Sequence, residues 1–132
     1  MHFMLQKEVV DRITASVGDS NYSRLSVMIQ CSYQVESLFD ISPEDFSPPP
    51  KVNSSFMRLI PDNKFQLQIK DYKQFCKLVE TAFQQRRKTI KNSLSTMVTE
   101  DQLNKANIQI SQRPQEISIP QYINLSNELS AY

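Results

Sequence analysis

Phe46 is the first residue whose type and surroundings could do chemistry. A run of three prolines, residues 48–50, follows it and leads through Lys51 into a predicted strand over residues 52–60. Prolines fix the backbone φ angle and remove N–H donors, so this run is predicted to be extended and stiff. The Phe46 ring would then be held at the rim of a sheet, where it can stack on a flat group. The alternative is a core phenylalanine under a proline loop, because phenylalanine is often buried.

A cluster of cations is the second candidate. Four positive charges lie within six residues, at Arg86, Arg87, Lys88 and Lys91, in a chain whose net charge is only +1. On a helix Arg87, Lys88 and Lys91 would share one face, and Arg86 would lie nearer the apolar stripe. Such a face can bind the phosphates of a nucleic acid, with an affinity that falls as salt rises. The alternative is a solvated helical face on which one arginine pairs internally.

Composition excludes several other kinds of site. The single glycine, Gly18, rules out a glycine-rich dinucleotide loop or a P-loop in this chain. The chain has one histidine, His2, and two distant cysteines, Cys31 and Cys76. Their spacing does not match the ligand spacing of a zinc site. A single histidine also does not favour a nucleophile activated by histidine. The cysteines are predicted to be reduced and buried. No apolar run reaches the ~18 residues that span a bilayer, so no membrane partner is expected.

The first half of the chain reads as an α/β pattern. Apolar spacing predicts a strand, two helices and two antiparallel strands, in that order, over residues 1–6, 7–15, 22–31, 34–41 and 52–60. The first strand is nearly continuous in apolar character, which predicts burial on both faces of a parallel sheet.

The second half reads as helical. A polar connection over residues 61–70 places a domain boundary near residue 62, and Asp71 is a candidate N-cap. From there an apolar stripe predicts one long helix that carries the basic cluster and breaks near residues 92–93. Thr99 or Ser95 would cap a short helix, and Ser118 would cap the last one.

Several motifs resemble one known family. They run Phe-Ser-Pro-Pro-Pro-Lys-Val-Asn-Ser over residues 46–54, and Phe-Gln-Gln-Arg-Arg-Lys-Thr-Ile-Lys-Asn-Ser-Leu over 83–94. Shorter matches lie at residues 22–27, where Ser23 replaces the usual glycine, and at 113–118. Together these resemble the ribosomal RNA adenine N6-dimethyltransferases of the bacterial small-subunit type, over essentially the whole chain.

The resemblance implies an architecture of α/β plus α. Residues 1–62 would be the last strands and helices of a Rossmann-like methyltransferase sheet, and residues 63–132 a small, all-helical RNA-binding domain. The family's glycine-rich cofactor loop and its Asn-Leu-Pro-Tyr motif are not in this sequence. The chain is therefore expected to be the carboxy-terminal portion of the enzyme, with S-adenosylmethionine bound by a missing N-terminal part and no metal involved.

The resemblance also implies a function and site residues. The function would be dimethylation of adenine N6 in small-subunit ribosomal RNA, in a 30S precursor, by a cytoplasmic protein that is monomeric at full length. Phe46 would stack on the target adenine, and the RNA would be contacted by Lys51, Arg86, Arg87, Lys88 and Lys91. Lys51 could equally be a plain surface lysine. Two other interpretations stay open: a non-catalytic RNA-binding or ribosome-assembly module, and an inactive fragment.

Overall fold

The computed structural model of the protein describes residues 1–41 and 53–130. The strands in these ranges are β1 (His2–Gln6), β2 (Tyr33–Ile41) and β3 (Ser54–Pro61). The α-helices are α1 (Lys7–Ile13), α2 (Arg24–Gln30), α3 (Tyr72–Ala82), α4 (Ile90–Ser93), α5 (Glu100–Lys105) and α6 (Ile119–Ser130). The predicted order of strand, helix, helix, strand, strand is confirmed. No helix in the described ranges is long and apolar enough to cross a membrane.

β3 is the central strand of the sheet. It pairs antiparallel with β1 on one side and with β2 on the other, so the predicted antiparallel pairing of β2 and β3 is confirmed. Ser54, the first residue of β3, is opposite both Gln6 and Ile41. The last residues of β1 and β2 and the first residue of β3 therefore lie together at one end of the sheet.

The predicted burial of β1 is wrong. All five of its residues are exposed, and Phe3 and Met4 keep 40% and 48% of their surface in contact with solvent. A strand is buried on both faces only when it has strands on both sides and helices above and below it. Within the described ranges β1 pairs only with β3 and lies at the edge of the sheet. Its sequence is that of an inner strand, but its surroundings here are those of an edge strand.

Two apolar clusters hold these elements together. The smaller one packs α1 on β3 through Val10, Ile13, Met57 and Leu59. The larger one joins the helices and includes Val27, Phe75, Leu78, Ile90, Leu94, Tyr122 and Leu125. Because the larger cluster also contains α2 residues, both halves of the chain contribute to one core. The domain boundary near residue 62 stays a prediction.

Three of the helix starts follow the sequence closely. The side chains of Asp71 and Thr99 accept hydrogen bonds from the backbone N–H groups three residues later, at 3.2 and 3.3 Å. Ser118 does the same before α6, at 3.3 Å from the Gln121 nitrogen. These bonds satisfy N–H groups that have no partner inside the helix. The predicted caps at Asp71, Thr99 and Ser118 are confirmed.

The predicted long helix is wrong, because the chain leaves the helical path after α3. Residues 83–89 form turns, and α4 begins at Ile90, whose N–H donates to the Gln112 carbonyl at 2.6 Å. The apolar spacing continues through this break, since Ile90 and Leu94 still pack into the larger core. Spacing alone could not reveal a turn that returns apolar residues to the same core.

Candidate nucleic-acid interface

Three of the predicted RNA-binding cations lie on a turn rather than on a helix face. We call residues 86–88 the basic turn; it lies between α3 and α4. The Lys88 N–H donates to the Gln85 carbonyl at 3.1 Å, which closes the turn. The expectation that Arg87, Lys88 and Lys91 share one helical face is therefore wrong.

Arg87 and Lys88 are the accessible cations of this region. Both side chains are exposed, and neither has an ion pair or hydrogen bond to another residue of the described ranges. Arginine and lysine side chains in this state can contact phosphate without first giving up an internal partner. The basic turn therefore presents two available positive charges side by side.

Arg86 points inward. One of its guanidinium nitrogens, Nη2, donates to the carbonyl oxygens of Ser20 and Tyr22, at 2.9 and 2.7 Å. These contacts tie the basic turn to the loop before α2. The arginine that was expected near the apolar stripe thus pairs internally, and its first role is to hold its neighbours in place.

Lys91 is already paired. Its Nζ lies 2.5 Å from the Glu100 carboxylate, and both side chains are about half exposed. Exposed ion pairs of this kind contribute only ~0–1 kcal/mol, so a phosphate could replace the glutamate. Lys91 is therefore less available than Arg87 and Lys88.

Phe46 and Lys51 lie outside the described residues, but the two ends of their segment are described. Ile41, the last residue of β2, pairs with Ser54 at the start of β3. The Lys7 N–H donates to the Asn53 carbonyl at 2.9 Å. The segment that carries Phe46 therefore leaves and rejoins the sheet between paired strands, beside the start of α1.

A charged cluster, which the sequence did not predict, stabilises this end of the sheet. The Lys7 Nζ lies 3.3 Å from Asp40 and 3.4 Å from Asp11, and the Ser55 hydroxyl donates to Asp40. The hydrogen bond from Ser55, followed by that from Lys7, lowers the pKa of the Asp40 carboxyl below its usual value. The hydrogen bonds to Asp40 and Asp11 raise the pKa of Lys7. The strand register that brings Asp40 opposite Ser55 could not be read from spacing alone.

The described residues offer no metal site. In residues 1–41 and 53–130, no three histidine, cysteine, aspartate or glutamate side chains are grouped so that they could hold a metal ion.

Sequence comparisons find this chain similar to ribosomal RNA methyltransferases. The sequence model of the family described as ribosomal RNA adenine dimethylase matches residues 1–131. The chain is 48% identical, over 129 residues, to the ribosomal RNA small subunit methyltransferase A of Saccharophagus degradans. It is 41% identical over 130 residues to the protein of that name from Dechloromonas aromatica. These alignments cover 98% of this chain but 48% and 51% of the relatives, so the chain spans about half their length.

Solved structures show the same fold. A dimethyladenosine transferase from Plasmodium falciparum matches with a TM-score of 0.82 and 24% identity, over 98% of this chain and 56% of that one. The 23S rRNA methyltransferase ErmE matches with a TM-score of 0.69 and 23% identity, over 98% of this chain and 54% of that one. At these identities the likeness concerns the fold, and it extends over both halves of this chain.

Proposed function

The chain belongs to the ribosomal RNA adenine dimethylase family, and from that premise we propose that it supplies the RNA-contacting part of a small-subunit rRNA adenine N6-dimethyltransferase. In this proposal the chain is the carboxy-terminal portion of a longer enzyme. Its α/β part completes a Rossmann-like sheet, and its helical part holds the ribosomal RNA of a 30S precursor.

The basic turn is the observation that carries this proposal. The side chains of Arg87 and Lys88 are exposed and have no partner in the described ranges, in a chain that is close to neutral overall. The turn is held in position by the two Arg86 bonds on one side and by the Ile90 N–H bond to Gln112 on the other. A turn whose backbone is held in this way keeps the two cations side by side, and their phosphate contacts would fix the orientation of the RNA.

Phe46 is assigned to the target base, as the family resemblance implies. An adenine inside a helix must leave its stack before its N6 can be methylated, and an aromatic ring can hold the extruded base. Such stacking is worth about 1–3 kcal/mol per base. This assignment is supported by Asp40, Ser55 and Lys7, whose contacts fix the ends of the segment that carries Phe46. Lys51, in the same segment, would contact the RNA backbone.

The methyl donor, S-adenosylmethionine, would be bound by another part of the longer protein. The one glycine of the sequence, Gly18, lies in the loop between α1 and α2, where its N–H donates to the Gln115 carbonyl at 2.8 Å, so this chain supplies no glycine-rich loop for such a cofactor. A Cβ added at Gly18 would meet no atom within 4 Å, so the backbone there forms no close cradle. The exposed apolar residues of β1 also support a further part of the sheet beside it.

An RNA-binding or ribosome-assembly module without catalysis is the second candidate, because the basic turn alone would serve it. The two proposals differ in whether this chain needs a cofactor-binding partner. An inactive fragment is the remaining interpretation, and it requires that RNA binding be absent.

RNA binding by this chain tests the proposal directly. Fluorescence anisotropy with a labelled small-subunit rRNA fragment should show binding that weakens as salt rises. The Arg87→Glu/Lys88→Glu variant should lose about tenfold or more in affinity and reduce the salt slope by about 2, since two phosphate contacts are removed. Lys73→Glu, an exposed lysine on α3, is the matched control and should change the salt slope little.

Two results would contradict these assignments. Unchanged affinity in the Arg87→Glu/Lys88→Glu variant would remove the basic turn from the RNA interface. Tight, saturable binding of S-adenosylmethionine to this chain alone would overturn the assignment of the cofactor to another part of the protein.

A further inference from the structure

A second basic feature lies beside the basic turn and was not singled out in the sequence. It is a surface pocket of about 530 Å³ between α2 and the end of α3. We call it the arginine pocket. Three guanidinium groups and three apolar side chains line it: Arg12, Arg24, Arg86, Leu25, Met28 and Phe83. No acidic side chain is among its lining residues. Its volume is within the ~300–1,000 Å³ of typical ligand sites.

The guanidinium groups of the pocket are held to different degrees. Arg86 is fixed by its two carbonyl bonds. Arg12 pairs with Glu8 at 2.8 Å on the surface of α1. Arg24 has only a long, 4.0 Å ion pair with Glu80, and both of these side chains are about half exposed. An exposed pair at that distance contributes little, so Arg24 can turn toward an anion in the pocket at small cost.

The apolar side of the pocket is supported by the larger core. The Phe83 ring packs against the buried rings of Tyr22 and Tyr122, with centroids 6.2 and 5.9 Å away. Met28 packs against the larger core, and Leu25 leaves 38% of its surface exposed. An aromatic ring and flexible thioether beside guanidinium groups can accept the face of a nucleobase. A purely electrostatic site for a small anion would not need these side chains.

We propose that the arginine pocket binds one unstacked nucleotide of the RNA, with its base against Leu25, Met28 and Phe83 and its phosphate on Arg24 and Arg12. This inference rests on the proposed function, because it assigns a second contact to the same RNA. The pocket adjoins the basic turn, because Arg86 belongs to both. An RNA strand that contacts Arg87 would therefore pass close to the pocket. Single-stranded RNA is bound in this way elsewhere, through stacked bases and guanidinium-bound phosphates.

Titration of this chain with adenosine 5′-monophosphate, followed by two-dimensional NMR, tests the pocket. The backbone amide signals of Arg24, Leu25 and Phe83 should shift together and saturate. Ribose 5-phosphate, which lacks the base, should bind about tenfold more weakly, because base stacking then contributes nothing. Shifts confined to the basic turn, or equal affinity for the two compounds, would overturn the proposal.

Two variants separate the phosphate contact from the base contact. Arg24→Glu should lower the affinity for both compounds by about tenfold or more, since a charge-assisted hydrogen bond is replaced by a repulsion between negative charges. Leu25→Gln should lower the affinity for adenosine 5′-monophosphate but leave the affinity for ribose 5-phosphate nearly unchanged. Lys73→Glu and Leu67→Gln carry the same changes at exposed positions away from the pocket and should alter neither affinity. Thermal unfolding of each variant checks that it is folded.

RNA binding distinguishes the failure of this inference from the failure of the proposed function. In the anisotropy assay, Arg24→Glu and Leu25→Gln should each lower the affinity for the rRNA fragment severalfold. If only the Arg87→Glu/Lys88→Glu variant loses affinity, the pocket is not an RNA site and the proposed function stands. If the unchanged chain does not bind the RNA, both are overturned. An acidic peptide that shifts the pocket amides at lower concentration than the nucleotide would also overturn the RNA assignment.

Discussion

The Arg86 Nη2 lies 2.7 Å from the carbonyl oxygen of Tyr22, a residue whose side chain is fully buried. This bond joins residues that are 64 positions apart in the sequence. It holds the basic turn against the loop before α2, and it contributes to one wall of the arginine pocket. The most buried of the clustered cations is therefore the one that positions the others.

Replacement of Arg86 by alanine should destabilise the protein. The carbonyls of Ser20 and Tyr22 would lose their donor, which costs about 1–3 kcal/mol of unfolding free energy when the bonds involve a charged group. Urea denaturation measures this loss. Arg87→Ala is the control and should stay within about 0.5 kcal/mol of the unchanged protein, because Arg87 is exposed and has no partner in the described ranges. Equal effects of the two substitutions would contradict the structural role of Arg86.

Two buried tyrosines should respond oppositely to removal of their hydroxyl groups. The Tyr122 hydroxyl donates to the Pro114 carbonyl at 2.6 Å, whereas the buried Tyr22 hydroxyl has no hydrogen-bond partner in the described part of the chain. Tyr122→Phe should cost about 1–2 kcal/mol, because a buried acceptor loses its donor. Tyr22→Phe should leave stability unchanged or raise it. Chemical denaturation of the pair measures both, and a comparable loss in Tyr22→Phe would show that its hydroxyl has a partner.

The free energy of unfolding should fall in acid, in part because the Asp40 carboxylate becomes protonated. Its folded-state pKa is lowered, so its contribution is fully present above the unfolded-state pKa of about 3.9 and is lost as pH falls through the lowered value. Unfolding followed in urea between about pH 2 and 7 should therefore show a smaller acid loss in Asp40→Asn than in the unchanged chain.

Asp101→Asn is the control for this pH dependence, because Asp101 is an exposed carboxylate on α5 and takes no part in the contacts among Lys7, Asp11, Asp40 and Ser55. If Asp40→Asn and the unchanged chain lose the same stability in acid, the contacts of Asp40 with Ser55 and Lys7 do not stabilise the fold. The quantity compared is the change in the free energy of unfolding between pH 7 and low pH within each protein. A substitution that destabilises the protein equally at every pH does not alter this change.

The exposed edge strand should make this chain self-associate. β1 presents apolar side chains at the edge of the sheet, and unpaired edge strands are sites of association. Met4→Lys should lower the concentration-dependent association measured by analytical ultracentrifugation, since a lysine at an edge opposes strand pairing. Leu67→Lys introduces the same charge at a residue that is 78% exposed but lies outside the sheet, and it should have less effect. Equal effects would indicate that overall charge, rather than the edge, controls association.

The sequence predicted the elements better than it predicted their surroundings. The order of strands and helices in the first half of the chain and the three caps depend on patterns within a few residues, and these predictions are confirmed. The burial of β1 was wrong because burial depends on neighbouring strands, which the described part of the chain supplies on one side only. The long helix was wrong because residues 83–89 turn without interrupting the apolar spacing.

By itself, the sequence determined the local structure, the family motifs and the presence of a cation cluster in a nearly neutral chain. Only the tertiary structure decided what each cation does: Arg86 is held by Ser20 and Tyr22, Lys91 is paired with Glu100, and Arg87 and Lys88 are left exposed. The physical reason is that a hydrogen-bond partner is chosen by distance in space. Contacts such as that between Arg86 and Tyr22 join parts of the chain whose separation in sequence carries no sign of their approach.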